Sequence, residues 1–401
     1  MKPSFLLPRY PKELEDWWWK KALQKWPEHS EEKTLNLIRK EVVLQSDRFN
    51  KTRSFDPNSY GSRDLSVLAY GNFFFPRTWN AMTYCTAETI FRGWRKPGSG
   101  PIRILDIGSG TGASGLSFLY MIKKLGIHNP IFMDSWDYSG KSLTFLKNIH
   151  KDLNYLWSES KLHTQRTDLR NLPSLKNKQK FDIILLGYSL NEIIESEQIS
   201  EIANWLEGVI NLLSQNGYLI ITEPAEKEAC NNLQNVVSLI SKRSKNCFIH
   251  APYFNGLDCP LMDKQSHYYS HEVRKNHFSN IQEKINRPLN LEINLVKFGM
   301  SILSKLKPKN MSMDARTCRI VSPINKKKGT VSFIGIASDG AEYRYEIQRR
   351  NLIPDQTKIL TKLERGDVLN FNTLEPLMED YKKRIPTYES ISWPFSPRWS
   401  E

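Results

Sequence analysis

Asp106, Gly108, Gly110 and Gly112 alternate through Leu105-Asp106-Ile107-Gly108-Ser109-Gly110-Thr111-Gly112, and an apolar run from Ile102 to Ile107 leads into them. Glycine lets a backbone pass close beneath a ligand where a Cβ would collide. A helix N-terminus behind such a loop offers free N–H groups to a carboxylate or phosphate. The overlapping Gly110-Thr111-Gly112-Ala113-Ser114-Gly115 also fits the dinucleotide pattern G-x-G-x-x-G. Two acids favour S-adenosylmethionine over a dinucleotide. Asp106 ends the first strand, where dinucleotide folds prefer apolar residues, and it suits the amino-acid end of that cofactor. Asp168, with Leu169 beside it, follows the third strand and can meet an adenine amino group. Asp137 ends the second strand and can take ribose hydroxyls in either fold. The expected cofactor contacts are Asp106, Gly108, Ser109, Gly110, Gly112, Asp137, Asp168, Leu169 and Tyr188.

The fourth strand ends in Gly187-Tyr188-Ser189-Leu190-Asn191-Glu192, the substrate-facing edge of a methyltransferase sheet. Tyr188, Asn191 and Glu192 are the candidate catalytic residues; they could equally cap the following helix and pack. The Asn-Pro-Pro-aromatic tetrad used on exocyclic base amines is absent. No Pro-Cys pair stands there for a covalent attack on cytosine. Cys247, Cys259, His250, His267 and His271 crowd one region, but no C-x-x-C pair occurs, and core thiols are the plainer reading.

These residues need elements to position them. From Ile102 onward, apolar runs alternate with helical spacing: strands at 102–107, 130–137, 161–167, 181–186 and 217–223, with helices at 112–125, 139–150 and 199–213. That alternation predicts an α/β fold, a Rossmann-like class I methyltransferase sheet. A helix to about Lys242, a strand at 247–251 and a last, antiparallel strand at 296–304 complete it. Residues 1–95 read as a helical region, in which Trp17-Trp18-Trp19 either packs on the next domain or offers a base-stacking platform. Residues 96–305 read as the methyltransferase-like domain, after the linker Arg95-Lys96-Pro97-Gly98-Ser99-Gly100-Pro101. Residues 306–401 read as a small basic β module, with Thr330–Ala337 and Glu342–Ile347 joined by the hairpin turn Ser338-Asp339-Gly340.

A formal charge of +14 suits an anionic partner, nucleic acid first. Lys297, Lys305, Lys307, Lys309, Arg316, Arg319, Lys326, Lys327 and Lys328 cluster late, with Asp314 the one acid among them. All but Lys297, which adjoins the sheet, are the candidate RNA contacts. Five irregularly spaced cysteines form no disulfide framework. No apolar run approaches the roughly 20 residues of a membrane span. A cytoplasmic monomer is expected, in a bacterial cytosol or alternatively a mitochondrial matrix.

With these residues in hand, the chain resembles the Rsm-type methyltransferase-like assembly factors of the small ribosomal subunit, found in mitochondria and bacteria. The resemblance runs from about Tyr60 to Asp367. It rests on Ala69-Tyr70 with Phe75-Pro76, the loop Leu105 to Gly112, Gly187 to Glu192, and Gly217-Tyr218-Leu219-Ile220-Ile221-Thr222-Glu223-Pro224. Ala251-Pro252 with Cys259-Pro260-Leu261, and Arg319-Ile320-Val321-Ser322-Pro323 leading to Gly329-Thr330-Val331, complete it. It implies a class I methyltransferase fold, binding to ribosomal RNA and the small subunit, and a four-cysteine metal or iron–sulfur site. This chain departs from that last feature, with Tyr253 and Ser266-His267-Tyr268-Tyr269 where the family places cysteines. No metal is therefore expected. The expected activity is methyl transfer to ribosomal RNA; the alternative is a catalytically inactive RNA-binding assembly factor that keeps the fold.

Overall fold

The computed structural model describes residues 5–48, 61, 63–95, 98–157, 159–172, 179–194, 198–254, 256, 258–262, 266–308 and 313–400. After β1 (Phe5–Leu7) come α1 (Lys12–Lys25), α2 (Glu31–Asp47), α3 (Asp64–Ala69) and α4 (Phe75–Phe91). The central unit follows as β2 (Ile102–Ile107), α5 (Ala113–Lys124), β3 (Ile131–Asp137), α6 (Gly140–Asp152), β4 (Ser160–Arg166), β5 (Phe181–Gly187), α7 (Leu190–Ile193), α8 (Ile199–Asn211), β6 (Leu213–Pro224), α9 (Lys227–Arg243), β7 (Phe248–Ala251), β8 (Glu272–Lys275), α10 (Asn280–Asn286) and β9 (Leu295–Ser304). The sheet order is β4-β3-β2-β5-β6-β9-β7. β2 to β6 are parallel and β9 is antiparallel to both neighbours. This is the Rossmann-like methyltransferase sheet expected from the alternation.

The strands are buried on both faces, as central parallel strands must be. Their period of two assigns each face. Ile102 and Ile104 of β2, with Ile183 and Leu185 of β5, join the core beneath α4, α5 and α6. Leu105 and Ile107, with Ile184 and Leu186, face α8 and α9 instead. The N-terminal helices belong to the first core. Trp18 is buried there, stacked on Phe145 of α6 at 5.6 Å between ring centroids, while Trp17 Nε1 donates to Asp152 at 2.9 Å. The first two residues of the tryptophan run are therefore packing residues, not an open stacking surface.

The C-terminal module exceeds its predicted hairpin. It comprises β10 (Thr317–Ile320), β11 (Asn325–Lys326), β12 (Thr330–Ala337), β13 (Glu342–Gln348), α11 (Pro354–Leu360), β14 (Val368–Phe371), β15 (Glu375–Pro376), β16 (Lys382–Arg384), β17 (Ile391–Phe395) and β18 (Pro397–Trp399). The β12–β13 hairpin stands at its centre, turning at Gly340 with φ +86°. β18 leaves this sheet to pair with β1 in parallel. Phe395 stacks on Phe91 of α4 at 4.9 Å, so the module closes over the first core.

A buried ion lattice fixes this seam. Arg319 of β10 is 1% exposed and donates to both Glu88 of α4 (3.0 Å) and Glu272 of β8 (2.9 Å). Arg92 Nε donates to Glu88 at 2.7 Å. Asp367 accepts from Arg274 at 2.5 Å and from Arg398 at 2.6 Å. Among the described residues, no helix is long and apolar enough to cross a membrane.

Candidate functional site

The glycine loop bends because Gly108, Gly110 and Gly112 all take positive φ, +69°, +51° and +91°. Side chains rarely adopt that conformation. Space forbids them too: a Cβ on Gly108 would overlap Ser189, whose hydroxyl donates to Ile107 O at 3.0 Å. Gly108 and Ser109 N–H donate to Trp136 O at 2.9 and 3.1 Å, tying the loop to the end of β3.

Asp137 continues that tie. Its two oxygens accept from Gly110 N–H (2.8 Å) and Ser139 N–H (2.7 Å). Burial pushes its carboxyl up to about 6, and the two N–H groups recover only part of the shift. Asp106 lies one layer deeper. Strand parity turns it away from Leu105 and Ile107, toward α5, where Gly115 N–H donates to it at 3.0 Å. Burial pushes Asp106 up to about 7, and its second oxygen has no partner among the described residues.

A cavity of about 730 Å³ opens at the carboxyl ends of β2, β3, β5 and β6, within the ordinary range of small-molecule sites. Gly108, Ser109, Gly110, Asp137, Asp168, Leu169, Tyr188, Asn191 and Glu192 all line it. Asp106 and Gly112 do not: they support the loop from behind, which corrects their assignment as cofactor contacts. Asp168 is half exposed, and Arg170 clasps it through Nε (2.9 Å) and a terminal nitrogen (2.6 Å). That side-chain pairing holds its carboxyl below the usual range. Leu169 is fixed by Trp205, whose Nε1 donates to its carbonyl at 2.9 Å.

Tyr188 has φ +59°, a left-handed conformation at a bulky residue. Such strain costs on the order of 1–3 kcal/mol and persists only where the surroundings impose it. Here Tyr188 N–H donates to Thr222 O at 2.9 Å. Burial pushes its hydroxyl well up, and Arg77 nearby opposes the shift. Glu223 accepts from Leu190 N–H at 3.1 Å, anchoring the short helix that carries Asn191 and Glu192. Burial raises Glu223 to about 8.

Sequence reasoning missed the wall supplied by the N-terminal helices: Tyr70, Phe74, Arg77 and Thr78. Between α3 and α4 the chain makes a π turn, Tyr70–Phe74, in which Phe75 N–H donates five residues back to Tyr70 O. Such insertions are frequent at functional sites. The available signal was the aromatic run before Pro76, a helix-start residue.

The basic residues do not form one strip. Arg319 is withdrawn from any RNA contact by burial between two carboxylates, a correction to its assignment. Lys305 Nζ donates to Leu213 O at 2.8 Å. Arg316 is exposed but clasped by Asp314 at 2.6 Å. Lys307 is exposed, its ammonium 6.0 Å from the Phe248 ring centroid. Lys326, Lys327 and Lys328 are exposed at the β11–β12 turn, and Lys309 lies outside the described residues. Cys247 packs in the core against α8 and α9, and Cys259 packs with Tyr253 and Leu261. His250 donates to Leu306 O at 2.8 Å. Among the described residues, no group of three or more His, Cys, Asp or Glu is placed to hold a metal ion.

Residues 99–286 match the family model of a methyltransferase domain. Among solved structures, the chain is similar to a putative class I S-adenosylmethionine-dependent methyltransferase from Listeria monocytogenes (14% identity, 75% of this chain and 92% of that one, TM-score 0.39). It is also similar to the plantazolicin methyltransferase BpumL in complex with SAH (16% identity, 69% and 99%, TM-score 0.35). TrmN from Thermus thermophilus is a third (16% identity, 58% and 52%, TM-score 0.32). No curated protein sequence matches the chain. The match to a methyltransferase domain thus falls on the part of the chain that builds the Rossmann-like sheet.

Proposed function

We propose that the protein binds S-adenosylmethionine in this cavity and transfers its methyl group to RNA of the small ribosomal subunit. One observation carries the reading: the glycine loop, Asp137 and Leu169 converge on a single cavity whose far wall is formed by other elements, leaving room for a second substrate. The residues fit the cofactor. Ser109 Oγ is buried without a partner among the described residues, which supports a role at the amino-acid end. Asp137 would take ribose hydroxyls, and Leu169 with Asp168 would meet adenine. When bound, the cofactor supplies an already activated methyl group, so the chain's task is chiefly to position the acceptor. Tyr188, Asn191 and Glu192 would orient it. The RNA assignment is supported by the charge of +14 and the exposed Lys326–Lys328 tip, and the ribosomal one by the resemblance above.

The test is transfer of labelled methyl from S-adenosylmethionine to purified small-subunit RNA or immature particles. Incorporation into RNA is expected. Binding of cofactor and RNA without transfer would establish the inactive assembly-factor reading instead. Replacing Lys326, Lys327 and Lys328 with glutamine should flatten the salt slope of RNA binding by about 2 to 3 units if all three touch phosphate. An unchanged slope would remove the tip from the interface.

A further inference from the structure

Lys326, Lys327 and Lys328 do not stand alone at the β11–β12 turn. Gly329 closes that turn with φ +94°, and Arg349 N–H donates to Gly329 O at 2.8 Å. Thr330 and Gln348 are cross-strand partners beside this bond. The runs Lys326-Lys327-Lys328 and Arg349-Arg350, separated in sequence by the β12–β13 hairpin, thus meet at one end of the C-terminal module. All of these cations are exposed, and among the described residues none is paired with a carboxylate. Glu346, on the same strand as Gln348, accepts from Arg384 instead, at 3.4 Å.

β12 spans eight residues, about 25 Å at the rise of a strand. Its far end is acidic: Asp339 lies in the hairpin turn, Glu342 opens β13, and Asp314 N–H donates to Ser338 Oγ at 3.3 Å. Arg316 and Lys382, toward that end, are paired with Asp314 and Glu379. The module is therefore polarised along β12, acidic at the hairpin turn and basic at the opposite end. The basic end carries no aromatic residue in either run or in Gly329, Thr330 and Gln348. Phe333 and Tyr345 of the adjoining strands are buried in the module's core. Single-stranded RNA is recognised by bases stacked on aromatic faces, and helical RNA by its backbone and shape.

We propose that Lys326, Lys327, Lys328, Arg349 and Arg350 form one binding site for the phosphate backbone of helical RNA. The arginine forks take phosphate oxygens, and the lysines act as point charges along the same backbone. Contacts of this kind fix orientation and carry no base preference. The site rests on the RNA reading above and deepens it, naming the form of RNA and the residues that hold it.

The experiment measures binding of the full-length protein to a short RNA duplex, to oligouridine of the same length and to poly-L-glutamate, over a range of salt and without cofactor. The duplex should bind most tightly of the three. Arg349→Gln with Arg350→Gln should flatten the duplex salt slope by about 2 units, and glutamine at all of the proposed positions by about 4 to 5. Arg349→Lys with Arg350→Lys should restore the slope, because the charge is kept. Thermal unfolding of each variant should match the unaltered chain, since the side chains are exposed. An unchanged slope in the double glutamine variant overturns the joint site while RNA binding stands. Oligouridine bound as tightly as the duplex overturns the helical assignment. Poly-L-glutamate bound as tightly as the duplex overturns it too, and would point to an acidic protein partner. Failure of the unaltered chain to bind either RNA overturns the RNA reading itself, and this site with it.

Discussion

Two sets of buried carboxylates in this molecule titrate in opposite directions. At the cavity, Asp106, Asp137 and Glu223 are pushed up by burial to about 7, 6 and 8, with backbone N–H groups recovering part of the shift. At the seam between the two sheets, burial also raises Glu88 and Asp367. There Arg319 with Arg92, and Arg398 with Arg274, outweigh it and hold both below the usual range. The same side-chain chemistry serves two ends. The seam pairs its charges internally, so its carboxylates are committed to structure. Around the cavity, the second oxygens of Asp106 and Glu223 are unpartnered among the described residues, and burial outweighs the backbone N–H groups that oppose it.

The contrast is broken most forcefully by mutation at the seam. Arg319→Ala leaves Glu88 without one of its guanidiniums and Glu272 beside a void, and should cost about 3–5 kcal/mol in urea or thermal unfolding. Combining Arg319→Met with Glu272→Gln, which leaves Glu88 paired with Arg92 and Arg274 paired with Asp367, should recover part of that loss. A loss below about 1 kcal/mol for Arg319→Ala would mean that the lattice does not hold the sheets together.

The pH dependence of stability separates the regions next. Glu88 and Asp367 have folded pKa values below the unfolded ones, so their contribution is present above the unfolded pKa and is lost as pH falls through the folded value, below about 4. Asp106, Asp137 and Glu223 are raised. Their contribution is complete below the unfolded values near 4 and is lost as pH rises through 6 to 8. The melting temperature of the ligand-free protein should therefore peak near pH 5 and decline on both sides. Asp106→Asn with Glu223→Gln should flatten the alkaline decline and spare the acid one. A decline on the acid side alone would contradict the raised values at the cavity.

Ligand binding should register the smaller shift at Asp137. Its carboxylate must be ionised to accept ribose hydroxyls, so S-adenosylhomocysteine affinity should fall about tenfold per pH unit below its value of about 6. Titrations from pH 5 to 8 check this; a flat profile would remove Asp137 from the ribose contact. The smallest effect belongs to Asp106→Asn at pH 6, where the native group is mostly protonated. Asparagine mimics that state, and stability should stay within about 1 kcal/mol.

Much of the central sheet is legible in the sequence because a buried parallel strand must be an apolar run, and Ile102–Ile107 and Phe181–Leu186 are such runs. The β12–β13 hairpin is announced by its turn. Short strands carrying proline and charge, such as β15 and β18, give no such signal. Within the site, the loop and the strand ends are legible, since ligands in such sheets gather at the carboxyl ends. Asp106 misleads because its type suits the cofactor while its strand parity points it inward. Arg319 misleads because composition cannot separate an exposed cation from one paired across a seam. Arg77 comes from a helix outside the sheet motif, so only the folded chain brings it to the cavity.

The central claim is that this cavity is an S-adenosylmethionine site, and calorimetric titration with S-adenosylhomocysteine tests it most directly. The account predicts one site per chain, lost in Gly110→Val, where a branched side chain meets a φ of +51° and intrudes on the cavity. NAD should not bind. Binding of NAD with none of S-adenosylhomocysteine, or unaltered binding by Gly110→Val, would contradict it.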